Sequence, residues 1–479
     1  MDPAWVLEIR DQCFNARVPF FFKQEAASMR IYGKLVIGVV AAFALLQLVR
    51  PGIPARSTTS EVDAPPQVRH ILEQSCYSCH SDERRLAWFD QVVPGYWLVR
   101  HDILAARERL NFSTLGAKPL AVQKAVLYEA VNMIQMGAMP LPRFLALHPE
   151  AKVTPEKLAI LKAYLSPWTS APKPSTSAIA PNPGAAQPSL SLAGVQPEFN
   201  GVPFDPAFKN WKPISLTDRG DNNTFRFVLG NEIAVRAAQS GHISQWPNGS
   251  RFAKIAWQQE PGSDGLVYPG KFVQVELMLK DAGRYKNTDG WGWGRWRGAD
   301  LKPYGNDARF VNECTGCHLP VRGNDYVYTL PMTTAQVPGE EIVNNQAAAL
   351  PASLPYQPLD WRAITMYVDP NAHTMSALYG NDVATQSLNV PSNAPGAPAY
   401  TPGSVLALVA WAQRDDPHWF GARIPALPKS VEFVEVAASG PMNHYRLFTG
   451  GGMAETHLVA AEEVKREKII LNLAPAQLP

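Results

Sequence analysis

The sequence lacks a charge excess, has little cysteine and holds a single extended apolar run. Lysine plus arginine (44) nearly balances aspartate plus glutamate (42), which removes a polyanion-binding surface and argues against nucleic acid as a partner. The one apolar run is Ile31 to Arg50, uncharged only from Leu35 to Val49. That length falls between a signal-peptide core and the roughly 20 residues of a membrane span, although Lys34 can snorkel. Arg10, Arg17, Lys23, Arg30 and Lys34 precede it, and no A-x-A cleavage site follows. The expectation is an uncleaved anchor, residues 31–50, after a cytoplasmic segment, residues 1–30. It would make a single pass through a bacterial inner membrane, with the bulk of the chain in the periplasm. A signal peptide starting at Met29 is the alternative. Either way Cys13 stays inside and everything after residue 50 is exported. Proline, by contrast, is plentiful at 43 residues, which favours long ordered loops and linkers over a helical bundle.

The expected fold is multidomain: a mainly α domain over residues 51–168, a linker over 169–204, then mainly β tandem units over 205–335 and 336–479. In the first, "TPEKLAILKAYLSP" predicts a helix capped by Thr154, with Pro155 at its first position and Leu158, Leu161 and Leu165 at helical spacing. The stretch from Pro167 is rich in proline, serine and alanine without periodicity, as a linker is. Beyond it, alternating runs such as "KFVQVELML" predict strands. A repeat joins Asn210–Met278 to Asp360–Val436; aligning Gly249 with Gly403 and Trp257 with Trp411 sets Leu408 opposite Lys254. The same alignment, carried through Lys271 and Lys429, sets Val434 opposite Glu276.

Four of the five cysteines form two C-x-x-C-H strings, "CYSCH" at Cys76–His80 and "CTGCH" at Cys314–His318. Two thiols at this spacing suit addition to two haem vinyl groups, and the adjacent imidazole suits the iron. Zinc held by four cysteines is the alternative; neither it nor disulfides accounts for a histidine after both pairs. Two covalently bound c-type haems are therefore expected, one on Cys76, Cys79 and His80, the other on Cys314, Cys317 and His318. For the first iron, "NMIQMGAMPLP" offers Met133, Met136 and Met139. Met139, followed by proline, is the favoured sixth ligand, and a Met/His pair suits electron transfer. Met133 and Met136 also have the spacing of helix-packing residues, and His101 is a weaker candidate. After the second motif no methionine-proline loop follows, and Met332 is too near His318 in sequence to reach the opposite face, so that iron is expected to stay open.

These motifs carry two resemblances. "SCYSCHSDERRLAWFDQVVPGYWLVRHDILAARERLNFS" with "MGAMPLPRFLALHPEAKVTPE" resembles the membrane-anchored haem-binding domain family of monohaem cytochromes, over residues 60–165. "WPNGSRFAKIAW", "KDAGRY", "DGWGWGRW" and "ECTGCHLPVRGNDYVYTLPM" resemble the cytochrome P-460 family over residues 205–332, with a degenerate second copy to residue 479. That resemblance implies a β fold with one c-type haem, and a lysine bonded to the porphyrin in members that oxidise hydroxylamine. Members without it bind nitric oxide or carbon monoxide. The cross-linking lysine falls on Lys254; an edge-strand lysine with its head in water is the bland alternative. A proton acceptor is also required, and Glu276, set among apolar residues, is the first candidate, because burial raises a carboxyl pKa toward a useful range. Asp281 is the second, and either also reads as a solvated carboxylate. Trp291, Trp293 and Trp296, alternating with glycine, read as packing residues.

The function expected is a dihaem cytochrome. Its open haem oxidises hydroxylamine or a related small nitrogen species and passes electrons through the Met/His haem to a redox partner protein or membrane complex. The alternative is a non-catalytic electron-transfer or nitric-oxide-binding subunit of a respiratory membrane complex.

Overall fold

The computed structural model describes residues 3–19, 25–54, 60–83, 85–166, 192–240, 243–332, 345–388, 400–437 and 443–479. Most of the expected linker, residues 169–191, lies outside the described residues. The chain forms two compact units, residues 1–64 with 72–117 and residues 65–71 with 118–479.

The first unit is helical, with α1 (Pro3–Asn15), α2 (Glu25–Leu46), the end of α3 (Pro66–Ser75), α4 (Tyr77–His80), α5 (Gly95–Arg109) and α6 (Phe112–Leu115). Helix α2 overturns the expected membrane anchor. No helix among the described residues is long and apolar enough to cross a membrane. The uncharged helical run from Leu35 stops at Leu46, a rise of roughly 18 Å against a hydrocarbon core of roughly 30 Å. Single-pass anchoring, and the periplasmic placement that depended on it, are not supported. Near the first cysteine motif, Tyr77 is buried and stacks on Phe112 at 5.3 Å, and the Ser113 hydroxyl accepts from the Asp82 backbone N–H at 2.9 Å. These contacts pin α4 to α6.

The second unit begins with α7 (Leu120–Gln135), α8 (Pro142–Leu145) and α9 (Pro155–Leu165). Helix α9 starts as the sequence predicts: Thr154 accepts from the Lys157 backbone N–H at 3.4 Å, and Pro155 takes the first position, where no N–H is needed. The sheet follows in two sets. The first has β1 (Lys212–Arg219), β2 (Thr224–Gly230), α10 (Glu232–Ser240), β3 (Arg251–Pro261), β4 (Val267–Lys280), β5 (Trp291–Arg297), β6 (Lys302–Pro303) and α11 (Val311–His318). The second has β7 (Arg362–Asp369), β8 (Thr374–Gly380), α12 (Asp382–Ser387), β9 (Val405–Asp415), β10 (Ala422–Glu435), β11 (His444–Thr449), β12 (Ala454–Thr456) and α13 (Ala460–Asn472).

Strands run β1-β2-β3-β4-β7-β8-β9-β10, all antiparallel. Asp218↔Arg423 and Arg219↔Ala422 close β10 onto β1 as a barrel. The sets match strand for strand: 8, 7, 11 and 14 residues in β1–β4 and again in β7–β10. Each has a helix between its second and third strands. Alternation sends every second residue inward. Phe225, Phe227, Trp257, Val275 and Leu277 meet Met375, Trp411, Val431 and Phe433 in the core. Full burial of each such side chain contributes roughly 2–3 kcal/mol. The residues between them face outward: Val228, Phe252 and Met278 lie under α11 in one half, and Leu378, Leu406, Leu408 and Val434 meet Ile470 and Leu473 in the other. Trp291, Trp293 and Trp296 are buried as packing residues. A side chain at Gly292 would run into the Tyr285 ring, which accounts for glycine in that strand.

Candidate functional site

Helix α11 carries Cys314, Cys317 and His318, and Cys314 is buried in the outward-facing cluster of the first barrel half. Burial pushes its thiol up to about 12. The His318 Nδ1 lies 2.7 Å from the Tyr326 carbonyl oxygen, so Nδ1–H donates and the Nε2 lone pair is left for a metal. Trp293 and Tyr328 pack against the imidazole at 4.6 and 5.0 Å. Burial, only partly opposed by the Tyr326 bond, lowers the His318 pKa to about 4, which keeps the ring in the neutral, ligating form.

Three neighbouring strands bring a charged row to the same face. Register pairs Lys254 on β3 with Glu276 on β4, and Glu276 with Arg295 on β5. Lys254 Nζ is 2.5 Å from Glu276 Oε2, and Arg295 Nε is 3.3 Å from Oε1. The Gln274 amide also donates to Glu276. This row acts electrostatically on both Cys314 and His318, so it stands within reach of the C-x-x-C-H helix. The expected raised pKa of Glu276 is corrected here. Burial does disfavour its charge, but Lys254 and then Arg295 outweigh burial and hold the carboxyl well below the ordinary range. Burial lowers the Lys254 pKa, with Glu276 opposing.

Asp281 does not join the row. It is exposed at the end of β4, where its Oδ1 accepts from the backbone N–H groups of Gly283 and Arg284 at 3.0 and 2.9 Å and so shapes a turn. Met332 is buried in the barrel core.

In the second half, Leu408 pairs with Leu378 and with Glu432, the places that Val228 and Glu276 take around Lys254. Leu408 is thus opposite Lys254, as the repeat predicts. The residue equivalent to Glu276 is Glu432, however, not Val434. Pairing puts Phe272 opposite Trp257 and Pro428 opposite Trp411, with register shifts flanking both tryptophans, so Lys271, which precedes Phe272, and Lys429, which follows Pro428, are not equivalent and an alignment through them is two residues out. Glu432 is buried, receives the Arg466 guanidinium from α13 at 2.6 and 2.8 Å, and accepts from the Tyr445 hydroxyl at 2.6 Å.

In the first unit, Cys76 and Cys79 flank Tyr77 in α4 and its approach. His80 Nδ1 lies 3.1 Å from the Leu110 carbonyl oxygen, the same backbone anchoring that His318 receives. Burial lowers the His80 pKa and, with Cys79, pushes the Cys76 thiol up to about 12. His101 is exposed and faces Asp102 at 3.4 Å. Met133, Met136 and Met139 belong to the second unit, at the end of α7 and the turn after it. There the Met139 backbone N–H donates to the Met133 carbonyl at 3.1 Å.

Both motifs therefore present two thiols and a neutral imidazole oriented through Nδ1, a donor set that fits haem iron. Beside His318 the indole N–H of Trp293 is buried without a hydrogen-bond partner, a polar atom left over by the protein's own packing. Residues 206–329, which span the Lys254–Glu276–Arg295 row and α11, match the family model of Cytochrome P460. Residues 36–167, which span Cys76, Cys79, His80 and Met139, match the Haem-binding domain model. Both matches support a haem-containing cytochrome. The second barrel half, from β7 onward, lies outside the cytochrome P460 match. No curated protein matches the chain.

Sequence reasoning missed Arg295, whose place opposite Glu276 depends on strand register. It also missed Tyr326 and Tyr328, although both stand in the motif quoted after His318. Arg466 was missed as well; "AAEEVKREKIILN" is rich in helix formers, the signal that α13 existed.

Proposed function

We propose that this chain is a dihaem c-type cytochrome in which the site at His318 oxidises hydroxylamine or a related small nitrogen species. Electrons then leave through the site at His80. The observation that carries the reading is the Lys254–Glu276 pair on the barrel face that α11 covers: an amine and a carboxylate at 2.5 Å, within electrostatic reach of Cys314 and His318.

Cys314 and Cys317 would hold one haem covalently and His318 would ligate its iron; Cys76, Cys79 and His80, with Met139 as sixth ligand, would hold the other. The haem, when bound, supplies the electron-accepting iron. Lys254 is the proposed site of a bond to the porphyrin. Removing electrons from hydroxylamine also releases protons in equal number, and Glu276 is the proposed acceptor. A covalently bonded Lys254 nitrogen no longer carries its positive charge, so Glu276 loses its strongest cationic neighbour and binds a proton more readily, while Arg295 still orients it. The second barrel half is a haemless copy of the first on this reading, and an acceptor protein takes the electrons.

A second reading, non-catalytic electron transfer or nitric oxide binding, draws support from the depressed pKa of Glu276, which suits a fixed anion better than a proton acceptor. Steady hydroxylamine turnover by the purified, haem-loaded protein with an added electron acceptor separates the two. Turnover that Glu276→Ala abolishes supports the enzymatic reading, and its absence in the native protein supports the other.

A further inference from the structure

The hairpin between β9 and β10 reaches two places at once. Its counterpart in the first half, Gly262–Leu266, is a short turn of sequence GSDGL, whereas Asp416–Gly421 reads DPHWFG. The Trp419 ring packs on Tyr328 at 5.7 Å, and Tyr328 packs on His318 at 5.0 Å. The Tyr328 hydroxyl donates to the Cys317 carbonyl at 2.5 Å, and His418 Nδ1 lies 2.8 Å from the Tyr328 carbonyl. Trp419 is held firmly: Arg219 lies over its ring at 4.5 Å, and its indole N–H donates to Asp221 at 3.2 Å. On the other side of the hairpin, Phe420 stacks on Tyr128 of α7 at 5.2 Å. The buried Asn132 side chain accepts from the Phe420 N–H at 2.6 Å and donates to the Phe420 carbonyl at 3.1 Å. The next residue is Met133, whose carbonyl accepts from the Met139 N–H at 3.1 Å.

We propose that this hairpin is the electron route out of the His318 site: His318, Tyr328, Trp419–Phe420, Asn132–Met133 and Met139 in order. Tunnelling decays steeply across gaps and far less through covalent bonds, hydrogen bonds and packed rings, and every step here is one of those. One electron passes at a time. The iron at His318 is oxidised and the iron served by Met139 is reduced, with no bond made or broken along the route. The inference rests on the two-haem reading, and under it the second barrel half has a role of its own, because it supplies the bridging hairpin.

The test is flash release of carbon monoxide from half-reduced, haem-loaded protein, which launches an electron from the open ferrous site toward the other ferric site without any substrate. Trp419→Leu opens the packing between Tyr328 and Phe420 and should slow that transfer by roughly tenfold. Trp419→Phe, which keeps a ring, should restore most of the rate, and Asn132→Leu should slow it again. Static haem spectra should stay as in the native protein. Transfer at the native rate in both Trp419→Leu and Asn132→Leu overturns the route, as does a native protein with no transfer between the sites. Failure to turn over hydroxylamine, with transfer still sensitive to Trp419, overturns the substrate assignment and leaves the route standing.

Discussion

On the outer face of the first barrel half, Lys254, Glu276 and Arg295 stand in a row across β3, β4 and β5; on the second, the row reads Leu408, Glu432 and Leu447. The acid is kept in both halves and the cations are not. In the second half the neutralising charge arrives from Arg466 on α13, a helix whose Ile470 packs with Leu408 and Val434. In the first half both cations come from the strands, and the helix on that face is α11 with the haem motif. An acid at this position is therefore common to both halves, and the strand cations Lys254 and Arg295 are what distinguish the half that carries C-x-x-C-H.

The largest expected effect is on turnover. Glu276→Ala should lower hydroxylamine oxidation by about 10²- to 10⁴-fold, measured at saturating substrate, while Glu432→Ala should leave the rate of the remaining folded protein unchanged. Equal losses in both would erase the distinction between the halves.

Next in size is Leu408→Lys. It brings an amine beside an acid that Arg466 and Tyr445 already satisfy, in an apolar cluster. A cost of about 2–4 kcal/mol is expected from urea unfolding. A neutral result would mean that the second half still has room for the lysine.

Lys254→Leu makes the first half resemble the second and bears on acid stability. The folded-state pKa of Glu276 is depressed, so its ion pairing stabilises fully above the ordinary glutamate value of 4.5 and that contribution is lost as pH falls below it. With Lys254 gone the depression shrinks, so the haem-free variant should lose less stability between about pH 6 and about pH 3 than the haem-free native chain, in which the amine is unbonded, does. Urea midpoints at the two pH values read this directly; an unchanged pH dependence would show that Arg295 alone sets the shift. The smallest effect belongs to Asp281→Ala, which should loosen one turn and leave turnover and haem spectra as they were.

Local chemistry was legible in the sequence and long-range register was not. Thr154 with Pro155 announces α9, the glycines of "GWGWGRW" announce a crowded strand, and Gly249 and Gly403 align two turns with φ near +89° and +88°. Those features depend on a few adjacent residues. Glu432 was misplaced as Val434 because Lys271 precedes the partner of Trp257 whereas Lys429 follows the partner of Trp411, which only strand pairing reveals, and the low pKa of Glu276 depends on Lys254 and Arg295, brought alongside only by pairing. The membrane expectation failed for a related reason: apolar composition from Leu35 to Val49 suggested a span, but the helix stops at Leu46.

Whether Lys254 marks a haem site of distinct chemistry is tested most directly by peptide mass spectrometry of the purified protein, together with its reduced optical spectrum. The prediction is one haem joining the Cys314–Cys317 peptide to the Lys254 peptide, with a shifted ferrous Soret band that Lys254→Leu returns to the ordinary c-type position. An unmodified Lys254 peptide with an unshifted band in the native protein would contradict it.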